Sequence, residues 1–418
     1  MRDNTLYFLV DWEPDPTSGR EYTPSTEAFH FLDSPSIAFK YYRDWDDIPQ
    51  EDQDRYNADE GVGNPCWSKM STGYLCLLES LANAAMKHAA LREVYTTEAG
   101  FCRPAYEILI SLPLPVLHGV CGAGLRARKA RDETMYAYLT NNLRKAENRP
   151  GVYMIELTEP AGEPLRCCQL RAILEAVKSY LRLGSSSDVD VALDIEKISE
   201  SGEDADEVEI RRENIELGHR KWISSNDAYK KISRLVEELQ EHLDDAIQQN
   251  PDEDRRMPFT LRDIGYTNRG IKRIEEHEQL GPGTNKIMGL FASAAELHSR
   301  KLQLHGEMIF LCFRDEQAAL AEVLFSILAQ SYVETGKGFN GIEAGRSVAS
   351  SKNYTDSDWN TWQAATLSDT PARINAAREN QLFGDLEQRI RDMTHEVLRR
   401  KVHTMKRKLM FSNRIMGK

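Results

Sequence analysis

Apolar residues recur at helical spacing across residues 71–97, where Leu75, Leu78, Leu81, Ala85 and Ala89 form one stripe. After Pro104 an apolar run over 106–120 is interrupted by Pro113 and Pro115, which predicts a strand or a broken helix. Another helix is expected between Gly122 and Arg149. From Pro150 the pattern becomes more regular. Gly151–Leu157 reads as a strand, and helices are expected at about Leu165–Leu183 and Ser225–Gln249, the latter behind the cap-like run Ser224, Ser225, Asn226, Asp227. Phe259–Tyr266 reads as a second strand, followed by helices near Arg269–Gln279 and Lys286–Leu302. Met308–Phe313 reads as a third strand, and Asp315 as the cap of a long helix to about Val333.

Two further segments stand apart. Leu6–Trp12 reads as a strand before the turn Pro14–Gly19. The stretch from Gly184 to Glu207, rich in Ser, Asp and Glu, reads as a solvated loop broken by a short strand at Val189–Ile195. The expected class is α+β and predominantly helical: a small three-stranded sheet flanked by helices, with a helical insertion and an extra N-terminal region. Its segments are an acidic N-terminal piece with short strands (1–65), a helical region (66–149), a sheet-bearing domain (150–345) interrupted at about 160–257 by a helical and acidic insertion, and a C-terminal helical region with a basic tail (346–418).

Composition narrows the classes of function. The chain has 418 residues, 41% of them hydrophobic, which is enough for packed cores. No apolar run reaches the ~18 residues of a membrane helix, and the start meets Asp11 and Glu13 too soon for a secretory leader. Seven cysteines, an odd number without a Cys-x-x-Cys pair, point to reduced thiols inside the cell, in nucleus or cytoplasm, rather than to a disulfide or zinc framework.

The net charge of −13 is unevenly spread. Residues 1–60 hold fifteen acids against five bases, and Asp188 to Glu209 hold ten acids and one lysine. From Glu396 to the end, eight bases face one acid. That tail, with Arg399, Arg400, Lys401, Lys406, Arg407 and Lys408, suits phosphate contacts or nuclear import; its bland reading is a solvated helix end. The basic-aromatic cluster Gly218–Trp222 suits either nucleic acid or a helix approach along which the bases snorkel.

One helix carries a single charge. Between Gln317 and Val333 only Glu322 is charged, nearly opposite the stripe Leu320, Val323, Leu324, Ile327, Leu328 and Ser331. A carboxylate on a mostly buried helix must be neutralised, paired or metal-bound. The bland alternatives are an ion pair with an Arg of a neighbouring helix, or exposure on a small-residue face. Nearby, Arg273 and His277 are four apart and project from one helical face.

The order strand, strand, helix, helix, strand, helix with a lone Glu resembles the GIY-YIG nuclease superfamily, over about 150–157 and 260–340. Gly151-Val152-Tyr153 matches the first motif, with Val for Ile. Ile264, Gly265 and Thr267 match the second, Arg273 and His277 the first-helix positions, and Glu322 the metal ligand. Gly336 to Asn340 resembles the family's terminal Asn-containing turn. The sequence departs in two places. Asp263 stands where the second motif has its leading Tyr, with Tyr266 three places later on the other strand face, and more than a hundred residues separate Tyr153 from Asp263.

The resemblance implies metal-dependent hydrolysis of phosphodiester bonds in DNA or RNA. In that reading Mg²⁺ sits on Glu322, Arg273 clamps the non-bridging oxygens, and Tyr153, Tyr266 or His277 handles the attacking water's proton; Asp263 is either a second ligand or the mark of a domain that binds without cutting. The alternative class is a non-catalytic nucleic-acid-binding or structural protein: a nucleoprotein or shell subunit, or a chromatin adaptor. For the last, Leu6–Trp12 and its turn resemble the middle of a chromodomain, without the second Trp that would complete an aromatic cage.

Overall fold

The computed structural model describes residues 7–10, 25–28, 66, 74–95, 98–198, 205–299, 301–346, 348–368 and 371–381. The six basic residues of the tail, Arg399, Arg400, Lys401, Lys406, Arg407 and Lys408, lie outside them. Near the N-terminus, β1 (Tyr7–Val10) pairs antiparallel with β2 (Ser25–Ala28), so the first expected strand is present in shortened form.

The helical region holds α1 (Tyr74–Ala85), α2 (Ala89–Arg92), α3 (Glu98–Ile110), α4 (Leu114–Cys121), α5 (Leu125–Lys129) and α6 (Glu133–Lys145). The run over 106–120 is a broken helix. Pro113 stands as the N-cap of α4 and Pro115 lies in its first turn, where a missing amide proton costs nothing.

Next come β3 (Gly151–Thr158) and the insertion: α7 (Cys167–Arg182), α8 (Ser186–Ile198), α9 (Ala205–Glu216) and α10 (Asn226–Gln249). The chain then runs through β4 (Leu261–Thr267), α11 (Gly270–Glu278), α12 (Lys286–His298), β5 (Gln303–Leu311), α13 (Gln317–Leu328) and α14 (Asp356–Ser368). The class is α+β and predominantly helical, as the sequence pattern implies.

The acidic stretch differs from expectation. Val189 to Ile195 alternates like a strand, yet it is the middle of α8. Val189, Ala192, Leu193 and Glu196 are buried at helical spacing. The turn into α8 is closed by Asp188, whose carboxylate accepts from Arg182 Nη2 at 2.6 Å, the Gly184 amide at 3.1 Å and Ser185 Oγ at 3.0 Å. α10 begins as its cap predicts, with Ser225 Oγ accepting from the Ala228 amide at 3.1 Å. α13 is shorter than expected at both ends. Asp315 turns its Oδ1 back to the Glu316 amide, and Gln330 takes a left-handed φ of 51°, which stops the helix. β5 starts earlier than expected, at Gln303.

The sheet has the order β4-β3-β5, antiparallel throughout, and β3 is buried along its whole length. Alternation along β3 divides two cores. Val152 and Met154, with Ile264 and Phe310, face the core shared by α1, α3 and α13. Tyr153, Ile155 and Leu157, with Met308, face the core that contains α7, α10, α11 and α12. Gly306 on β5 lets α11 approach closely, since a Cβ there would lie 2.4 Å from Ile274 Cγ2. On the first face a buried ion pair crosses the strands. Arg262 Nε donates to Glu156 Oε1 at 3.1 Å and to Thr260 Oγ1 at 2.7 Å, while its other nitrogens reach the carbonyls of Val120, at 2.7 Å, and Gly122.

Candidate active site

Tyr153 and Asp263 project from the same sheet face, because Tyr153 pairs with Gly265 and Asp263 with Ile155. The glycine of the Ile264-Gly265 motif is required by this arrangement. The Tyr153 ring lies across it, and a Cβ at position 265 would meet the phenol oxygen at 2.3 Å. The hydroxyl of Tyr153 stands 2.9 Å from His277 Nε2, on α11, and the two rings are 5.3 Å apart. Both side chains are sealed, at 3% and 1% exposure. Burial, seconded by the Arg273 charge, pushes the His277 imidazole down to about 3, so the ring beside the phenol is neutral. Burial pushes Tyr153 far above the ordinary phenol range; Asp263 adds to this and Arg273 opposes it.

Arg273 stands one turn before His277 on α11. Its guanidinium reaches the Tyr153 hydroxyl and donates from Nη1 to Glu276 Oε2 at 2.8 Å, and it is half-buried at the edge of the sealed pair. Asp263 is buried and accepts from Asn285 Nδ2 at 2.7 Å. Desolvation raises its carboxyl to about 6, against the Asn285 hydrogen bond and the Arg273 charge. Asn285 caps α12 through its Oδ1, which accepts from the Ile287 amide at 3.0 Å. Asn340, at the end of the Gly336–Asn340 turn, bonds the edge of β4 through its side chain, accepting from the Ile264 amide at 3.0 Å and donating to the Ile264 carbonyl at 2.7 Å.

Glu322 forms no ion pair with a Lys or Arg among the described residues. Its Oε2 accepts from the Gly345 amide at 3.1 Å, which is aimed by a left-handed φ of 85° at that glycine. Burial, opposed by the Gly345 amide and aided by the charge of Asp263, raises the carboxyl to about 7. The charge of Glu322 also reaches Tyr153, Tyr266 and Tyr332. Tyr266 pairs with Val152 and so lies on the α13 face, away from the Tyr153–His277 pair.

The structure thus brings Tyr153, Arg273 and His277 into contact and sets Asp263 and Glu322 within electrostatic reach of one another. It leaves Tyr266 on the far face of the sheet. Among the described residues no three His, Cys, Asp or Glu side chains converge as a ready-made metal cage. Asp263 projects from the Tyr153 face of the sheet and Glu322 from a helix packed on the other face, so the two are related only through the charge of Asp263 acting on Glu322. A single carboxylate such as Glu322 suits a hard ion such as Mg²⁺ that keeps most of its waters.

Sequence pattern missed several members of this region. Asn285 was not singled out by the sequence pattern. His88 (between α1 and α2), Tyr332 and Glu343 carry no local signal, because only the fold gathers them. His88 and Tyr332 stack with ring centroids 5.4 Å apart, and Glu343 Oε1 stands 3.7 Å from His88 Nδ1. The Gly218–Trp222 cluster follows its bland reading: Trp222 is buried against Gly289 of α12, with the Lys221 and Lys286 ammoniums 5.1 and 5.9 Å from its ring centroid.

Comparison with protein-family models, curated proteins and solved structures gives no match for this chain. No single helix among the described residues is long and apolar enough to cross a membrane.

Proposed function

We propose that the chain is a metal-dependent phosphodiesterase acting on nucleic acid, DNA or RNA, through a divergent GIY-YIG-like domain with Asp263 at a tyrosine position. One observation carries the reading. Glu322, the lone carboxylate of α13, has no cationic partner among the described residues and feels the charge of Asp263, beside the strand that holds Tyr153 against Arg273 and His277. An unpaired carboxylate held near a second one is a site that gains from a cation.

In this reading Glu322 would hold Mg²⁺, which neutralises charge on the phosphate when bound. Arg273, steadied by Glu276, offers its fork to the non-bridging oxygens. Tyr153 and His277 work from beneath: their mutual bond fixes the wall against which Arg273 rests.

Incubation of the purified chain with labelled oligonucleotides and Mg²⁺ tests the reading. Cleavage should stop with a chelator and in Glu322→Ala and Arg273→Ala; undiminished activity in those variants sinks it. A second reading, a non-catalytic nucleic-acid-binding or structural protein, is favoured by Asp263 at the tyrosine position and by the sealing of Tyr153 and His277. It predicts binding that persists in chelator and is lost on removal of residues 396–418.

A further inference from the structure

Hydrolysis of a phosphodiester needs a group that takes a proton from the attacking water, and the residues beneath Arg273 do not suit that task. Tyr153 and His277 bond to each other in a closed interior, at 3% and 1% exposure, where no water is offered to either.

A second tyrosine–histidine pair lies by Glu322 and is less deeply buried. Tyr332 follows the end of α13, and its hydroxyl is 3.5 Å from Nδ1 of His88, on which it stacks. Tyr332 feels the charge of Glu322. Glu343 faces the same imidazole nitrogen and also accepts the Ala89 amide at 2.9 Å, which fixes it to the start of α2. Two residues further on, the Gly345 amide holds Glu322. The turn 343–345 therefore ties His88 and Glu322 into one unit, and α2 packs on α13 beneath it. Tyr332 and Glu343 both stand at Nδ1, so Nε2 is the ring nitrogen that they leave for a base.

We infer that His88, oriented by Glu343, is the general base for the water that attacks phosphorus beside Glu322. The catalytic group would then come from the helical region and not from the sheet-bearing domain. The inference rests on the phosphodiesterase reading above. His88 Nε2 takes one proton as the water oxygen forms the new P–O bond. The bond from phosphorus to the leaving sugar oxygen breaks, its electron pair departs on that oxygen, and solvent supplies the proton that oxygen needs. The imidazolium then returns its proton to solvent.

The test uses the full chain, labelled oligonucleotides and Mg²⁺. His88→Gln should lower kcat by about 100-fold or more, with affinity for the same oligonucleotide in chelator, read by fluorescence anisotropy, unchanged. Added imidazole should restore part of the activity of His88→Ala and none of that of Glu322→Ala. Glu343→Gln should lower kcat and leave KM in place. The His88 ring proton resonance, identified by its loss in His88→Gln, should shift when a phosphorothioate oligonucleotide is added. An active wild type with His88→Gln equally active overturns the assignment of His88 alone; an inactive wild type overturns the phosphodiesterase reading and this inference with it.

Discussion

Asn285 joins the buried carboxylate of Asp263 to the start of α12. Its Nδ2 donates to Asp263 Oδ1 at 2.7 Å and to the Phe339 carbonyl at 2.8 Å, while its Oδ1 accepts the Ile287 amide. Asn285→Ala should remove the cap and leave Asp263 without its donor. Loss of a cap alone costs about 1 kcal/mol, and an unsatisfied buried acceptor adds about 1–3 kcal/mol. Urea unfolding followed by circular dichroism measures the sum, and a midpoint equal to wild type rejects it.

Asp263 and Glu322 give stability a pH dependence of defined sign. Their folded values, about 6 and about 7, lie above those of an unfolded chain, about 3.9 and 4.3. Between about pH 4 and pH 7 the folded chain keeps protons that the unfolded chain has lost, so the contribution of these groups is full below that window and declines as pH rises through it. His277 acts oppositely, since its folded value of about 3 lies below the unfolded one and its contribution is lost as pH falls. The comparison is therefore made against Glu322→Gln. The melting temperature of that variant should gain on wild type as pH rises from 4 to 8, and Mg²⁺ at pH 8 should stabilise wild type more than the variant. A difference that stays constant with pH, or an equal response to Mg²⁺, contradicts this account.

Arg262 is held by Glu156, Thr260 and two carbonyls inside the protein. Arg262→Met strands the Glu156 carboxylate and should destabilise the fold by about 3–5 kcal/mol. The paired change Arg262→Met with Glu156→Leu should recover much of that loss. Chemical denaturation of the three proteins decides, and a double variant no better than the single one refutes the argument.

Gly265 makes room for the Tyr153 ring. Gly265→Ala should cost about 1–3 kcal/mol through overpacking. In a Tyr153→Ala background the same change should cost far less, because the atom it strikes is gone. Additive losses in that cycle would show that the two residues do not compete for the same space.

Much of the strand and helix order was legible because the elements from β3 onward carry clean periodicity and, at α10, a recognisable cap. The strand-like reading of Val189–Ile195 failed for a physical reason. Its residues satisfy both a twofold and a helical pattern, and neighbouring helices and the Asp188 turn decide between them. The candidate site was half legible. Tyr153, Arg273, His277 and Glu322 declared themselves through motif and isolation of charge. Asn285, His88, Tyr332 and Glu343 are brought to the site by long-range packing, which leaves no local trace. Tyr266 illustrates the converse, since a displacement of three along a strand moves a side chain to the opposite face.

The turn that ends at Asn340 has a consequence for how the sheet meets other chains. β4 lies at one end of the sheet, where an outer strand leaves amides and carbonyls ready to recruit a neighbour. Asn340 occupies both groups of Ile264, the Phe339 amide donates to the Arg262 carbonyl at 2.7 Å, and the Arg262 amide donates to the Lys337 carbonyl at 3.3 Å. A short return of the chain, finished by one side-chain amide shaped like a peptide group, thus takes the place of a fourth strand. The rim beside Asp263 is closed to strand addition, and self-association through that edge is blocked by the protein's own backbone.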